Sequence, residues 1–226
     1  MKLIEKLKIV RGWLWSAFPT RNRFGYCAKN VQINYPFLVD TPQNVFLYEN
    51  TKLREVRIIN SPNEKVIVKK YSAIASNVVI VTSNHVSTVG VPHILLGSSH
   101  VNDKSTDIII EEDCWVGTAA KLLAGSHLGR GCIVGAGAIV NKDIPPYAVV
   151  VGSPAKIVAV KFSIEQIIEH EKSLYVEKER FTKKELEDLF AKYFVDKRVY
   201  GKYMENPEID RMKIEQVKKR IKFVEP

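Results

Sequence analysis

Between Ile110 and Ile144 an aliphatic residue recurs every six positions, at Ile110, Val116, Leu122, Leu128, Val134 and Val140. That period is neither helical nor the alternation of a half-buried strand. Four residues after each aliphatic stand Cys114, Ala120, Ser126, Cys132, Ala138 and Ile144, five of them small, as a second inward position at a tight corner requires. Glycine follows the aliphatic at Gly117, Gly129 and Gly135, where a turn can use its freedom at positive φ. Such hexads predict a parallel β-helix in which each short strand stacks on the coil below at about 4.8 Å. Three hexads make one coil, so Cys114 and Cys132, 18 positions apart, are expected to stack inside the prism.

Upstream the repeat is ragged. Ile33, Val39 and Val45 keep six-residue spacing, Leu47, Leu53 and Ile59 take up a shifted register, and Val68, Ile74 and Ile80 sharpen it again. Pro36, Pro42 and Pro62 suit corners rather than strand centres. Between His85 and Asp107 no hexad is sustained, which predicts a loop over 86–107 thrown out from one corner and kept ordered by its apolar content. Loops this long in a compact domain are usually functional or disordered. Residues 1–25 alternate Lys and Arg with Leu, Ile, Trp and Phe and predict a basic amphipathic helix ended by Pro19. It could pack on the first coil or make peripheral contact with an anionic membrane. Packing is preferred, because Trp and Phe at helical spacing are more often core. Beyond Val140, Pro145, Pro146 and the Gly152-Ser153-Pro154 turn interrupt the strands. Capping boxes at Ser163/Gln166 and Thr182/Glu185 predict helices starting near residues 164 and 183, and a last helix covers 208–221. The chain thus reads as mainly β, with an N-terminal helical segment (1–30), a β-helix domain (31–160) and a C-terminal helical extension (161–226).

With 226 residues, 46% of them hydrophobic, the chain can bury a sizeable core. No apolar run approaches the ~18 residues that span a bilayer, and no cleavable-signal pattern opens the chain. The 34 Lys+Arg against 25 Asp+Glu give a net charge of +9, which suits a nucleic acid, an anionic membrane or a phosphate-bearing ligand. Nucleic acid ranks last, since no nucleic-acid fold signature accompanies the charge. Three cysteines without paired spacing argue against a disulfide framework and for a reducing, cytoplasmic setting. Cys114 and Cys132 read as small core residues, and no metal site is expected.

The run from Asn77 to Val160, over a third of the chain, carries NVVIVTSNH, then a loop, then CWVGT, VGAGAIVNKDIPPYAVVVG and SPAK. In these motifs it resembles the hexapeptide-repeat acyltransferases that use acetyl-coenzyme A, in the branch of galactoside, maltose and xenobiotic acetyltransferases. The tail KFSIEQIIEHEKSLY resembles those of bacterial capsule and exopolysaccharide O-acetyltransferases. The resemblance implies a left-handed β-helix and a homotrimer with active sites between neighbouring prisms. It implies that His85, just after a strand and before the loop, is the catalytic base. Asn84 stands where the family often has Gly, and Asn84, His93 and His100 are the candidate acceptor-side residues. Trp115, Thr118, Ala136, Asn141, Lys142 and Lys156 match positions lining the coenzyme, the two lysines being its phosphate partners. Lys161 could stand in for an arginine that some relatives carry at the position of Ala159.

Acetyl transfer from a thioester to a hydroxyl needs a base for the hydroxyl proton and donors for the resulting oxyanion. Histidine suits the first task because its ordinary pKa lies near neutrality. The acceptor itself can attack, so direct transfer without an acyl-enzyme is expected. A saccharide hydroxyl on a capsule or exopolysaccharide precursor is the preferred acceptor; an antibiotic hydroxyl or a sugar amine is the alternative. Two other classes are a zinc anhydrase on the same prism, which His85, His93 and His100 do not fit in spacing, and an inactive scaffold, which coenzyme binding would exclude.

Overall fold

The computed structural model describes residues 3–226. Three parallel sheets form the faces of a prism. The first face holds Tyr26–Cys27, Val45–Leu47, Val66–Val68, Ile108–Ile110 and His127–Leu128. The second holds Gln32–Asn34, Lys52–Arg54, Ala73–Ile74, Trp115–Val116, Ile133–Val134 and Ala148–Val151. The third holds Leu38–Val39, Arg57–Ile59, Val79–Val81, Lys121–Leu122 and Ile139–Val140. All six hexad aliphatics are fully buried, and the six residues of the second inward position are at most 3% exposed. Ile110 pairs with Leu128, Trp115 with Ile133 and Lys121 with Ile139, so the regular coil takes 18 residues. Cys114 and Cys132 stack with their sulfurs 3.7 Å apart, both as free thiols.

The upstream coils are longer because their corners are. Val45 pairs with Val66 and Ile58 with Ile80, coils of 21 and 22 residues. Ile58, not Ile59, points inward. The corner before it is one residue short, with its left-handed residue, Glu55 (φ 48°), two positions after the buried Leu53 where the regular coils have three, and this moves the register by one. The three hexad glycines also serve differently from expectation. None adopts a positive φ; the left-handed positions fall two residues later, at Ala119, Gly131 and Gly137. Gly117 is instead a close approach, where an added Cβ would lie 2.6 Å from the amide nitrogen of Ala136 in the next coil.

The N-terminal helix α1 covers Leu3–Ala17. Its expected packing on the first coil is confined to its C-terminal end, where the Phe37 amide donates to the Ala17 carbonyl (2.9 Å). Every side chain from Ile4 to Trp15 is exposed, and Ala17, at its end, is buried. The loop over 86–107 is ordered, with a stalk formed by antiparallel pairing of Ser83–Asn84 with Lys104–Ser105 and a short helix α2, His93–Ser99, whose Leu96 is buried.

Helices α3 (Ile164–Leu174) and α4 (Lys183–Tyr193) start at the two capping boxes, both formed as reciprocal side-chain and backbone hydrogen bonds, and α5 covers Pro207–Ile221. The extension is locked to the prism through polar groups. Asp113 Oδ2 accepts from Lys161 Nζ (2.6 Å) and lies 2.9 Å from His170 Nε2. Burial alone would raise the Asp113 carboxyl, but the hydrogen bond from His170 and the Lys161 charge outweigh it and hold the pKa below the usual range. The unfolded carboxyl, at about 3.9, therefore takes up its proton before the folded one does. Its contribution to stability is complete above that pH and is lost as pH falls through the folded value. Asp113→Asn is expected to cost about 2 kcal/mol at neutral pH and to flatten the fall in melting temperature on acidification, as calorimetry would read it.

Candidate active site

The third face carries the candidate chemistry along both edges. At its entry edge Thr118 and Ala136 stand one coil apart, with the Gly137 amide donating to the Thr118 carbonyl (2.8 Å). The turn ending in Lys156 extends this edge, since Ile139 donates to Gly152 and Ala155 donates back to Ile139. At the exit edge Asn141 and Lys142 follow Ile139–Val140, on the same corner from which the loop leaves. Two coil spacings, about 10 Å, separate the strand Val79–Val81 at the loop's origin from Ile139–Val140.

His85 sits at the end of the loop's stalk, beside Asn84, which pairs with Lys104. The stalk's antiparallel register brings Asp103 across to it. His85 Nδ1 lies 3.0 and 3.1 Å from the two Asp103 oxygens, and His100 Nδ1 lies 2.9 Å from Oδ2. His100, the left-handed C-cap of α2 (φ 54°), sets its ring 5.7 Å from that of His85. The hydrogen bond from His100, then that from His85, holds the Asp103 carboxyl below the usual carboxylate range. A charged carboxylate accepting from Nδ1–H fixes the His85 tautomer with Nε2 unprotonated, the form a general base needs. The three ligating atoms lie within 4.8 Å of one another, so the same trio could also hold a divalent cation.

Sequence reasoning identified His85 and His100 but not Asp103, whose signal was the stalk pairing itself. His93 opens α2, exposed and outside the cluster. Lys142 and Lys156 are exposed, and no ion pair among the described residues includes them, which leaves both charges available for phosphate. Lys161 is held by Asp113 and does not supply the missing charge. Trp115 is 48% exposed on the second face, neither packed between coils nor alongside the third-face residues. A cavity of about 450 Å³ lies elsewhere, between Glu111, His127, Arg130 and Pro146 and α4 residues Leu189 and Tyr193. It does not include the His85 cluster, whose two histidines are exposed.

The family model for the bacterial transferase hexapeptide (six repeats) matches residues 107–142. Those residues carry the hexapeptide repeat of bacterial transferases. This hexapeptide-repeat chain is 28% identical over 138 residues to a putative acetyltransferase of Saccharomyces cerevisiae, covering 61% of the chain and 67% of that relative. It is 39% identical over 64 residues to a chloramphenicol acetyltransferase of Escherichia coli, covering 28% of the chain but only 30% of the relative. The structure of a hexapeptide-repeat acetyltransferase from Vibrio cholerae, complexed with acetyl-coenzyme A, superposes with a TM-score of 0.55 at 20% identity, over 71% of this chain and 79% of that one. The fold is thus the left-handed parallel β-helix, with helices added at both ends.

Proposed function

We propose that this chain is an acetyl-coenzyme-A-dependent acetyltransferase whose acceptor is a saccharide hydroxyl and whose general base is His85. The observation that carries the reading is the His85–Asp103 pair at the corner where the third face ends, the face whose edges bear Thr118, Ala136, Asn141 and Lys142, with Lys156 beside them at the start of the strand Lys156–Val160 of the second sheet. Lys142 and Lys156 bind the coenzyme phosphates. Asp103 holds the Nδ1 proton of His85, and Nε2 takes the acceptor's hydroxyl proton as its oxygen attacks the thioester carbonyl. The tetrahedral oxyanion collapses, the carbon–sulfur bond breaks, and the proton passes from His85 to the departing thiolate. The products are an acetyl ester and free coenzyme A. A homotrimer sets a second wall against the exposed His85, and with it the exposed Trp115 gains a neighbour. An antibiotic hydroxyl is the second reading, supported by the identity with the chloramphenicol enzyme.

The test is acceptor-dependent release of coenzyme A across sugars, sugar nucleotides and antibiotics, with coenzyme binding measured in parallel. Release with a saccharide, undiminished by a chelator, is expected. Release with antibiotics alone would move the acceptor to the second reading. Failure to bind coenzyme A would leave an inactive scaffold, and loss of release on chelation would make the His85 trio a metal site.

A further inference from the structure

Helix α1 presents an apolar surface that nothing among the described residues covers. Leu7, Val10 and Leu14, spaced three and four apart, share one face and are 59%, 52% and 46% exposed. At 3.6 residues per turn, Trp13 and Lys6 border that face on one side, and Arg11, Ile4 and Trp15 on the other. Gly12 and the edge of the helix at Trp13 line a hollow with Leu38, Val39, Asp40 and Arg57 of the prism, so the Leu7–Val10–Leu14 face is turned away from that hollow. The orientation is fixed at the base. Trp13 packs edge-on against Phe18 (6.0 Å), Phe18 against Tyr35 (5.4 Å), and the Arg23 guanidinium lies 4.1 Å over Trp15.

Charge decides what covers this face. Lys6, Lys8 and Arg11 are exposed, and none of the ion pairs among the described residues includes them. Glu5 is the helix's one acidic residue. A second copy would set these cations against their like, whereas an anionic surface would pair them all. At 15 residues, α1 is about 22 Å long, short of a ~30 Å hydrocarbon core. No helix among the described residues is long and apolar enough to cross a membrane. We propose that α1 lies flat on an anionic lipid surface, with Leu7, Val10 and Leu14 immersed, Trp13, Trp15 and Phe18 at the interface, and Lys6, Lys8 and Arg11 at phosphate depth. The docked chain then works on acceptors held at that surface.

The test is sedimentation of the full chain with vesicles of phosphatidylcholine alone or mixed with phosphatidylglycerol, at low and high ionic strength. Binding to the anionic vesicles alone, weakened by salt and accompanied by a blue shift of tryptophan emission, is expected. Lys6→Glu/Lys8→Glu/Arg11→Glu should lower that binding by roughly 10²-fold, and Leu7→Glu/Leu14→Glu should abolish it. All five positions are exposed, so melting is unchanged in both variants. Absence of binding to anionic vesicles, or equal binding to neutral ones, overturns the proposal. So does a fall in oligomeric state in these variants without vesicle binding, which would assign the face to a second copy.

Discussion

Replacing His85 with alanine is expected to lower acceptor-dependent release of coenzyme A by ~10²–10⁴-fold, the usual contribution of a positioned general base, with coenzyme affinity unchanged. The two effects separate because His85 belongs to the loop's stalk, while the coenzyme candidates lie on prism strands and corners about two coils away. The variant should melt with the wild type, since His85 is exposed and, among the described residues, its side chain hydrogen-bonds Asp103 alone. Asp103→Asn should lower kcat on the order of 10²-fold, because the amide keeps the shape of the contact but not the charge that fixes Nδ1–H. Asp103→Glu restores part of kcat if the carboxylate's role is to orient the ring. Steady-state rates for the three variants, with coenzyme binding by calorimetry, check the set. Equal release from His85→Ala and wild type would remove His85 as the base.

The inward positions of the prism were legible because a six-residue period has one structural consequence in each coil. Buried aliphatics at Ile110 through Val140 and small residues at Cys114 through Ala138 follow from corner geometry alone. Where a corner changes length, the period no longer predicts the register, as at Ile58, which follows the buried Leu53 by five positions instead of six. Asp103 escaped notice for a related reason. Its partnership with His85 depends on an antiparallel stalk within a parallel fold, and two paired residues on each strand leave no periodic trace. The fate of α1 was not legible either. Apolar residues at helical spacing read the same whether the helix packs on a prism or on lipid, and only the exposure of Leu7, Val10 and Leu14 separates the two.

Nor does any pattern mark Glu171 as buried, yet it is 1% exposed where α3 meets the end of the prism. Its Oε1 accepts from the Tyr147 hydroxyl (2.8 Å) and Arg130 Nη1 (3.1 Å), and its Oε2 from the Phe181 amide (2.6 Å). Arg130 also donates to the Glu179 carbonyl and stacks over Tyr175, so one carboxylate joins the last coils to α3 and to the segment leading into α4. Glu171→Ala leaves the Tyr147 hydroxyl and the Phe181 amide without their acceptor and Arg130 with only Glu112 and the Glu179 carbonyl, and is expected to cost ~3–5 kcal/mol. At roughly 2–4 °C per kcal/mol for a chain of this size, that is a fall of about 6–20 °C in melting temperature. Tyr147→Phe, which leaves the charge pair intact, should cost only about 1 kcal/mol. The double variant Arg130→Met/Glu171→Leu removes both charges and should recover part of the loss, the remainder persisting because Glu112 loses its Arg130 partner. Thermal melts of the three variants separate these contributions. Equal destabilisation by Glu171→Ala and Tyr147→Phe would mean that the tyrosine bond alone, and not the shared carboxylate, fastens the extension.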